Sequence, residues 1–193
     1  MLRLRVPSIQ SQMTASHSTI KDEDLVLAFA RQAGHDGWNT TAFRRFCFAR
    51  GLSAEEMHAR WPMGARSLGW DLNHYADNVM SARFDKMGPA PLSEIILNRF
   101  DDHASIKQAV RRLARSDAFH PMDTLTRTAQ TARAMWRFQD RPMPRSILGR
   151  QFKTWSLVVL YSACVLVWLA DSTISQQPLR RAIRLSVKIL GAH

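Results

Sequence analysis

Apolar side chains recur every three or four residues along this chain, and no stretch alternates apolar and polar positions long enough to make a convincing strand. The pattern predicts an all-α fold of about nine helices. The first is expected over Asp22–Gln32, with three acids in its opening turn, where the positive end of the helix dipole favours them. Gly34 and Gly37 are expected to close it, and Trp38 to anchor a core. A second helix starts near Thr40 and stops at Gly51. Ser53 followed by Glu56 is a capping-box signature for a third, short helix ending at Trp61-Pro62. The fourth runs from Gly64 to about Phe84, with Leu68, Leu72, Tyr75, Ala76, Val79 and Met80 on one side. Met87-Gly-Pro-Ala-Pro91 breaks the chain. Helices follow at Leu92–Phe100, at Ile106–Leu113 behind a Ser105 cap, and from Pro121 past Trp136 and Phe138. After the proline loop Asp140–Pro144, the eighth is expected from Ile147 to Ala170 and the ninth from Ser175–Pro178 to Gly191.

The run Trp155–Ala170 carries no charge for sixteen residues, short of the roughly 20 that cross a bilayer. It also contains Ser156, Tyr161, Ser162 and Cys164, so it reads as a central or dimer-interface helix. With 193 residues and 46% apolar content, the chain suits one domain with a real core. Charge refines that picture, because the formal +11 is unevenly placed. Residues 1–102 hold 12 Lys and Arg against 12 Asp and Glu, and residues 103–193 hold 15 against 4. An anionic partner for the second half, or merely a solvated basic surface, fits this asymmetry. Cys47 and Cys164, each flanked by apolar neighbours, read as small buried hydrophobes in a reducing compartment. The first twenty residues, with Arg3, Arg5, six Ser or Thr and no acid, read as a disordered tail or a targeting segment.

Candidate chemistry is sparse. The seven histidines are scattered, and no pair with metal-ligand spacing has a third ligand nearby. His74 with Asp77, and Asp101 and Asp102 with His103, read as surface or capping groups rather than acid–base machinery. The sequence has no glycine-rich phosphate loop and no nucleophile elbow, so neither an enzyme nor a cofactor is expected.

The order of short helix, glycine turn, short helix, Trp-Pro-x-Gly and long helix resembles the TetR-type regulators. A closer resemblance is to the lipid-binding accessory family of ubiquinone (coenzyme Q) biosynthesis, which shares that fold without binding DNA. It rests on Gly37-Trp38, Gly51-Leu52, Trp61-Pro62 with Gly64, then Ala76, Asp77 and Met80, and finally Tyr161, Ser162, Trp168, Leu169 and Asp171, over about residues 22–190. The family's loop before the penultimate helix reads here Asp140-Arg141-Pro142-Met143-Pro144-Arg145, leaving Asp140 and Lys153 as its surviving positions.

The resemblance implies a TetR-like fold: residues 1–20 as a tail, 21–66 as a vestigial helix-turn-helix, and 67–193 as a helical lipid-binding and dimerisation bundle. It implies a homodimer that takes up an isoprenoid lipid or ubiquinone intermediate. The lipid would pass to the di-iron demethoxyubiquinone hydroxylase, on the cytoplasmic face of a bacterial inner membrane or on the matrix side of the mitochondrial one. Apolar and aromatic side chains of the last three helices are the expected lipid-binding set: Met135, Trp136, Phe138, Trp155, Leu160, Tyr161 and Trp168. The expected membrane or partner surface comprises Asp140, Lys153, Arg180, Arg181, Arg184 and Lys188, the last four on one side of a basic amphipathic helix. The rival reading is a TetR-type regulator. Against it, the candidate recognition helix Ser53–Arg60 opens with Glu55 and Glu56, which repel phosphates, and the front half is neutral overall.

Overall fold

The computed structural model describes residues 22–118, 120–140, 146–173 and 176–189. Among them the chain is all α: α1 (Asp22–Asp36), α2 (Thr40–Phe48), α3 (Ala54–Arg60), α4 (Ala65–Met87), α5 (Leu92–Asp102), α6 (Lys107–Asp117), α7 (Pro121–Phe138), α8 (Ile147–Ala170) and α9 (Gln177–Ile189). These nine helices match the number the periodicity predicts. Among the described residues, only the loops at Ala90 and Gln139 pair in β fashion, through Ala90 N–H to the Phe138 carbonyl at 2.9 Å. The tail 1–20, the loop 141–145 and the chain end at Gly191 lie outside the described residues.

Several helix starts are written in local side chains. Asn39 accepts a hydrogen bond from Ala42 N–H at 2.9 Å, and Ser146 accepts one from Gly149 N–H at 3.1 Å. The Ser53–Glu56 capping box closes in both directions, at 3.1 and 2.8 Å. Pro121 opens α7, where its missing N–H costs nothing.

Two expectations change. Helix α1 runs through Gly34 to Asp36 and stops at Gly37, whose φ of +92° is open to glycine at little cost. Gly34 stays helical because α6 packs against it: a Cβ there would sit 3.5 Å from Ala109 N. Ser105 does not cap α6. The chain leaves α5 through a 3₁₀ turn, Ala104–Ile106, and Ile106 precedes α6 without a side-chain cap. Burial of His103 and Ile106 sets that geometry, which leaves the Ser105 hydroxyl no N–H to cap.

Helix α4 is the spine, about 35 Å long at 1.5 Å per residue. Its first half joins one core with α1–α3 and α6, around Phe29, Phe46, Leu68 and Leu72. Phe29 meets Trp38, Phe46 and Phe43 edge-on at centroid distances of 4.9, 5.2 and 6.2 Å, and Trp38 Nε1 donates to the Ala65 carbonyl at 2.8 Å. Its second half joins another core with α5, α7, α8 and α9, around Met80, Phe84, Ile95, Met135, Leu157 and Ile183. Cys47 and Cys164 are buried thiols, one in each core, and burial pushes the Cys47 thiol up to about 11.

Helix α8 is buried on one side only. Leu157, Val158, Tyr161, Cys164, Trp168 and Leu169 face the core. Leu148, Phe152, Trp155, Val159 and Leu166 stand exposed, with Ile147 beside them. The helix is long and apolar enough to cross a membrane by length and composition, but its inner side is committed to the protein core. Its last carbonyls are met by α6: Arg111 donates to the Leu169 carbonyl and Lys107 to the Asp171 carbonyl. Cations at a helix C-terminus are well placed against the dipole. Part of the basic excess of the second half therefore has a structural use.

Candidate functional site

Where the two cores meet, α4, α5, α6, α7 and α8 leave a cavity of about 510 Å³. This lies within the size range of small-molecule sites. Leu72 and Ala76 line it from α4, Phe100 from α5, Val110 and Leu113 from α6, Leu125 from α7, and Val165, Trp168 and Leu169 from α8. Most of its surface is apolar. Small residues make room: Gly69 of α4 is so closely covered that a Cβ would fall 2.7 Å from Arg127 Nη1 and 3.0 Å from Leu113 Cδ1. Leu125 and Leu166 are at once lining residues and exposed, so the cavity opens to the surface between α7 and α8.

Two buried guanidiniums stand in its wall, each matched to a carboxylate. Arg99 lies 2.6 Å from Asp77 Oδ1, donates through Nε to the Tyr161 hydroxyl at 2.9 Å, and reaches Thr131 and Asn73 at 3.2 and 3.4 Å. Thr131 in turn donates to Asp77 at 3.0 Å. Arg127 pairs with Asp117, whose carboxyl burial pushes above its usual range despite that partner. His103 completes the polar set. Its Nδ1 sits 2.6 Å from the Arg99 carbonyl, its Nε2 is buried without a partner, and burial holds the ring below its ordinary pKa. Burial likewise raises the Tyr161 phenol, so both rings are neutral near pH 7.

Of the seven side chains expected to bind lipid, Tyr161 and Trp168 line this cavity. Met135, Trp136 and Phe138 instead pack in the core beneath α8. Trp155 is exposed on the outer stripe of α8, and Leu160 is half-buried and outside the lining. Of the last three helices, expected to supply the lipid-binding set, α7 and α8 line the cavity together with α4, α5 and α6, and α9 contributes no lining residue. Phe138 packs against Phe84 of α4 with ring centroids 6.0 Å apart and Trp136 lies under Lys153 of α8, so those bulky groups fill volume rather than border it.

Arg180, Arg181, Arg184 and Lys188 are exposed on α9, over buried Leu179, Ile183 and Val187, as an amphipathic helix requires. Asp140 is exposed beside the Ala90 pairing, and half-buried Lys153 lies over the Trp136 ring at 5.7 Å.

Arg99, Asp77 and His103 were not expected as site residues. For Arg99 and His103 the signal was present in the sequence, where Arg99 in α5 and His103 just after its end continue the helical spacing of Leu92, Ile95, Ile96 and Phe100. A cation on an apolar stripe announces a buried partner. Among the described residues no cluster of three or more His, Cys, Asp or Glu is arranged to hold a metal. The candidate DNA-reading face of α3 exposes all but Met57, including Glu55 and Glu56. No protein-family model, curated protein or solved structure matches the chain.

Proposed function

We propose that this protein is a non-catalytic lipid-binding accessory factor of ubiquinone biosynthesis. It takes an isoprenoid quinone intermediate into the cavity and presents it to a membrane-associated hydroxylase. One observation carries the reading: an apolar cavity of about 510 Å³ opens to the surface through the exposed apolar side chains Leu125 and Leu166. The resemblance in Trp61-Pro62, Gly64, Tyr161, Trp168 and Asp171 supplies the pathway. The basic outer face of α9 suits an anionic membrane surface on the cytoplasmic or matrix side, each Lys or Arg adding about 1 kcal/mol near the lipid.

The outer stripe of α8 supports a homodimer. Leu148, Phe152, Trp155 and Val159, away from the cavity mouth at Leu166, follow the 4-3-4 spacing of a helix-pairing seam. With Ile147 they offer an apolar surface on the order of several hundred Å², approaching the per-partner area of a standard interface.

Lipid extraction and mass spectrometry of the purified protein test the reading. An isoprenoid phenol or quinone should co-purify with the native chain and be lost on Val165→Trp, which fills the cavity. A native protein free of such lipid, together with normal quinone levels in a deletion strain, overturns it. The second reading, a TetR-type regulator, is favoured by the exposed α3 behind its capping box. Tight, sequence-selective binding to the protein's own upstream DNA across a salt series would establish it instead.

A further inference from the structure

The polar groups of the cavity wall specify the head group of whatever fills it; this rests on the lipid-binding reading above. Both buried guanidiniums are already neutralised, Arg99 by Asp77 and Arg127 by Asp117. An anionic head group would find no spare cation and would meet the Asp117 carboxylate, which lines the wall. A lipid without polar atoms would leave the wall's remaining acceptor unmet. That acceptor is on His103. A carbonyl oxygen can only accept, so the 2.6 Å contact with the Arg99 carbonyl fixes the ring proton on Nδ1. Nε2 is then a lone-pair acceptor. It is buried without a partner on a residue that is 7% exposed and lines the cavity. Arg99 Nη1, also in the wall, makes no hydrogen bond but is held 2.6 Å from Asp77 Oδ1, and the other buried polar atoms without partners, on Gln130, Trp136, Gln139, Asp171 and Gln176, belong to residues outside the lining. Buried acceptors in folded proteins are nearly always satisfied, and an occupant is the natural source of the missing donor.

We propose that the cavity binds a neutral amphiphile whose hydroxyl head, a phenol, quinol or alcohol, donates a hydrogen bond to His103 Nε2. A fatty-acid carboxylate and a phosphate ester are disfavoured, and of a quinone intermediate the quinol form binds more tightly than the oxidised form, which has no hydroxyl to donate. The protein thus discriminates by protonation and redox state of the head as well as by the apolar tail.

Three matched probes test this by calorimetric titration at pH 7.5: 4-nonylphenol, 4-nonylanisole and 4-nonylbenzoate. The phenol should bind about three- to tenfold tighter than the anisole, the worth of one neutral hydrogen bond, and the benzoate weakest of the three. His103→Phe should bring the phenol to the affinity of the anisole while leaving the anisole within about twofold. The wild-type series stands by itself should that variant not fold. Equal affinity for phenol and anisole, or tightest binding of the benzoate, overturns the head-group assignment and leaves lipid binding intact. Failure of all three to bind overturns the cavity reading as well.

Discussion

Replacing Arg99 with Leu should be among the most damaging single changes in this molecule, and its magnitude follows from its surroundings. The side chain is 5% exposed and makes an ion contact to Asp77, one hydrogen bond to the Tyr161 hydroxyl and longer ones to Thr131 and Asn73. Without it, Asp77, whose side chain is 15% exposed, keeps only Thr131 at 3.0 Å and Asn73 at 3.3 Å. Removing one partner of a buried pair costs about 3–5 kcal/mol, because the other charge stays desolvated. In a chain of this size that lowers Tm by roughly 6–20 °C. Asp77→Leu should cost a similar amount, leaving the guanidinium stranded. The double variant should recover much of the loss, since an apolar pair in place of a buried ion pair is often neutral. Urea denaturation of the four proteins closes the cycle. A loss under about 1 kcal/mol for Arg99→Leu, or strictly additive single effects, would refute the view that the two charges hold each other in the interior.

Three other outcomes are expected. His103 has a folded pKa below its unfolded value near 6.5, so below that pH the unfolded chain takes up a proton the folded chain refuses. Stability should fall with acidification from pH 7 until the folded pKa is reached, by at most about 1.4 kcal/mol per pH unit. Urea midpoints at pH 7.5 and 5.5 should show this slope reduced in His103→Phe; Asp117 has the opposite sign, but it is common to both proteins and cancels in the difference. Gly69→Ala should destabilise despite alanine's better helix propensity of roughly 1 kcal/mol, because the new Cβ meets Arg127 Nη1 at 2.7 Å and pushes it from Asp117; a thermal melt unchanged or raised contradicts this. Phe152→Ser with Val159→Lys should turn a dimer into a monomer in sedimentation while retaining helicity, since both side chains are exposed in the single chain; a native protein that sediments as a monomer at all concentrations removes the α8 interface.

The helices were legible because their causes are local. Period, caps and breakers act within a few residues, so Asn39, Ser53 with Glu56, Pro121 and Ser146 mark helix starts without help from the rest of the chain. The two buried cysteines and the one-sided basic face of α9 follow from the same short-range arithmetic. Ser105 misled because its hydroxyl lost to a tertiary demand, the burial of Ile106 and His103.

The cavity was not legible, because a void belongs to no residue. Aromatic side chains of α7 and α8 are equally suited to fill space and to line it, and only the packing of α4, α5 and α6 against them decided that Trp136 and Phe138 fill while Tyr161 and Trp168 line. The pairing of Arg99 with Asp77, twenty-two residues away on another helix, likewise needed the fold to bring them together. Sequence alone determined which segments are helical and which faces are apolar, since propensity and periodicity are properties of neighbours along the chain. Tertiary structure decided which charges are buried, which apolar face of α8 meets solvent and where space is left, since those depend on residues distant in sequence competing for the same volume.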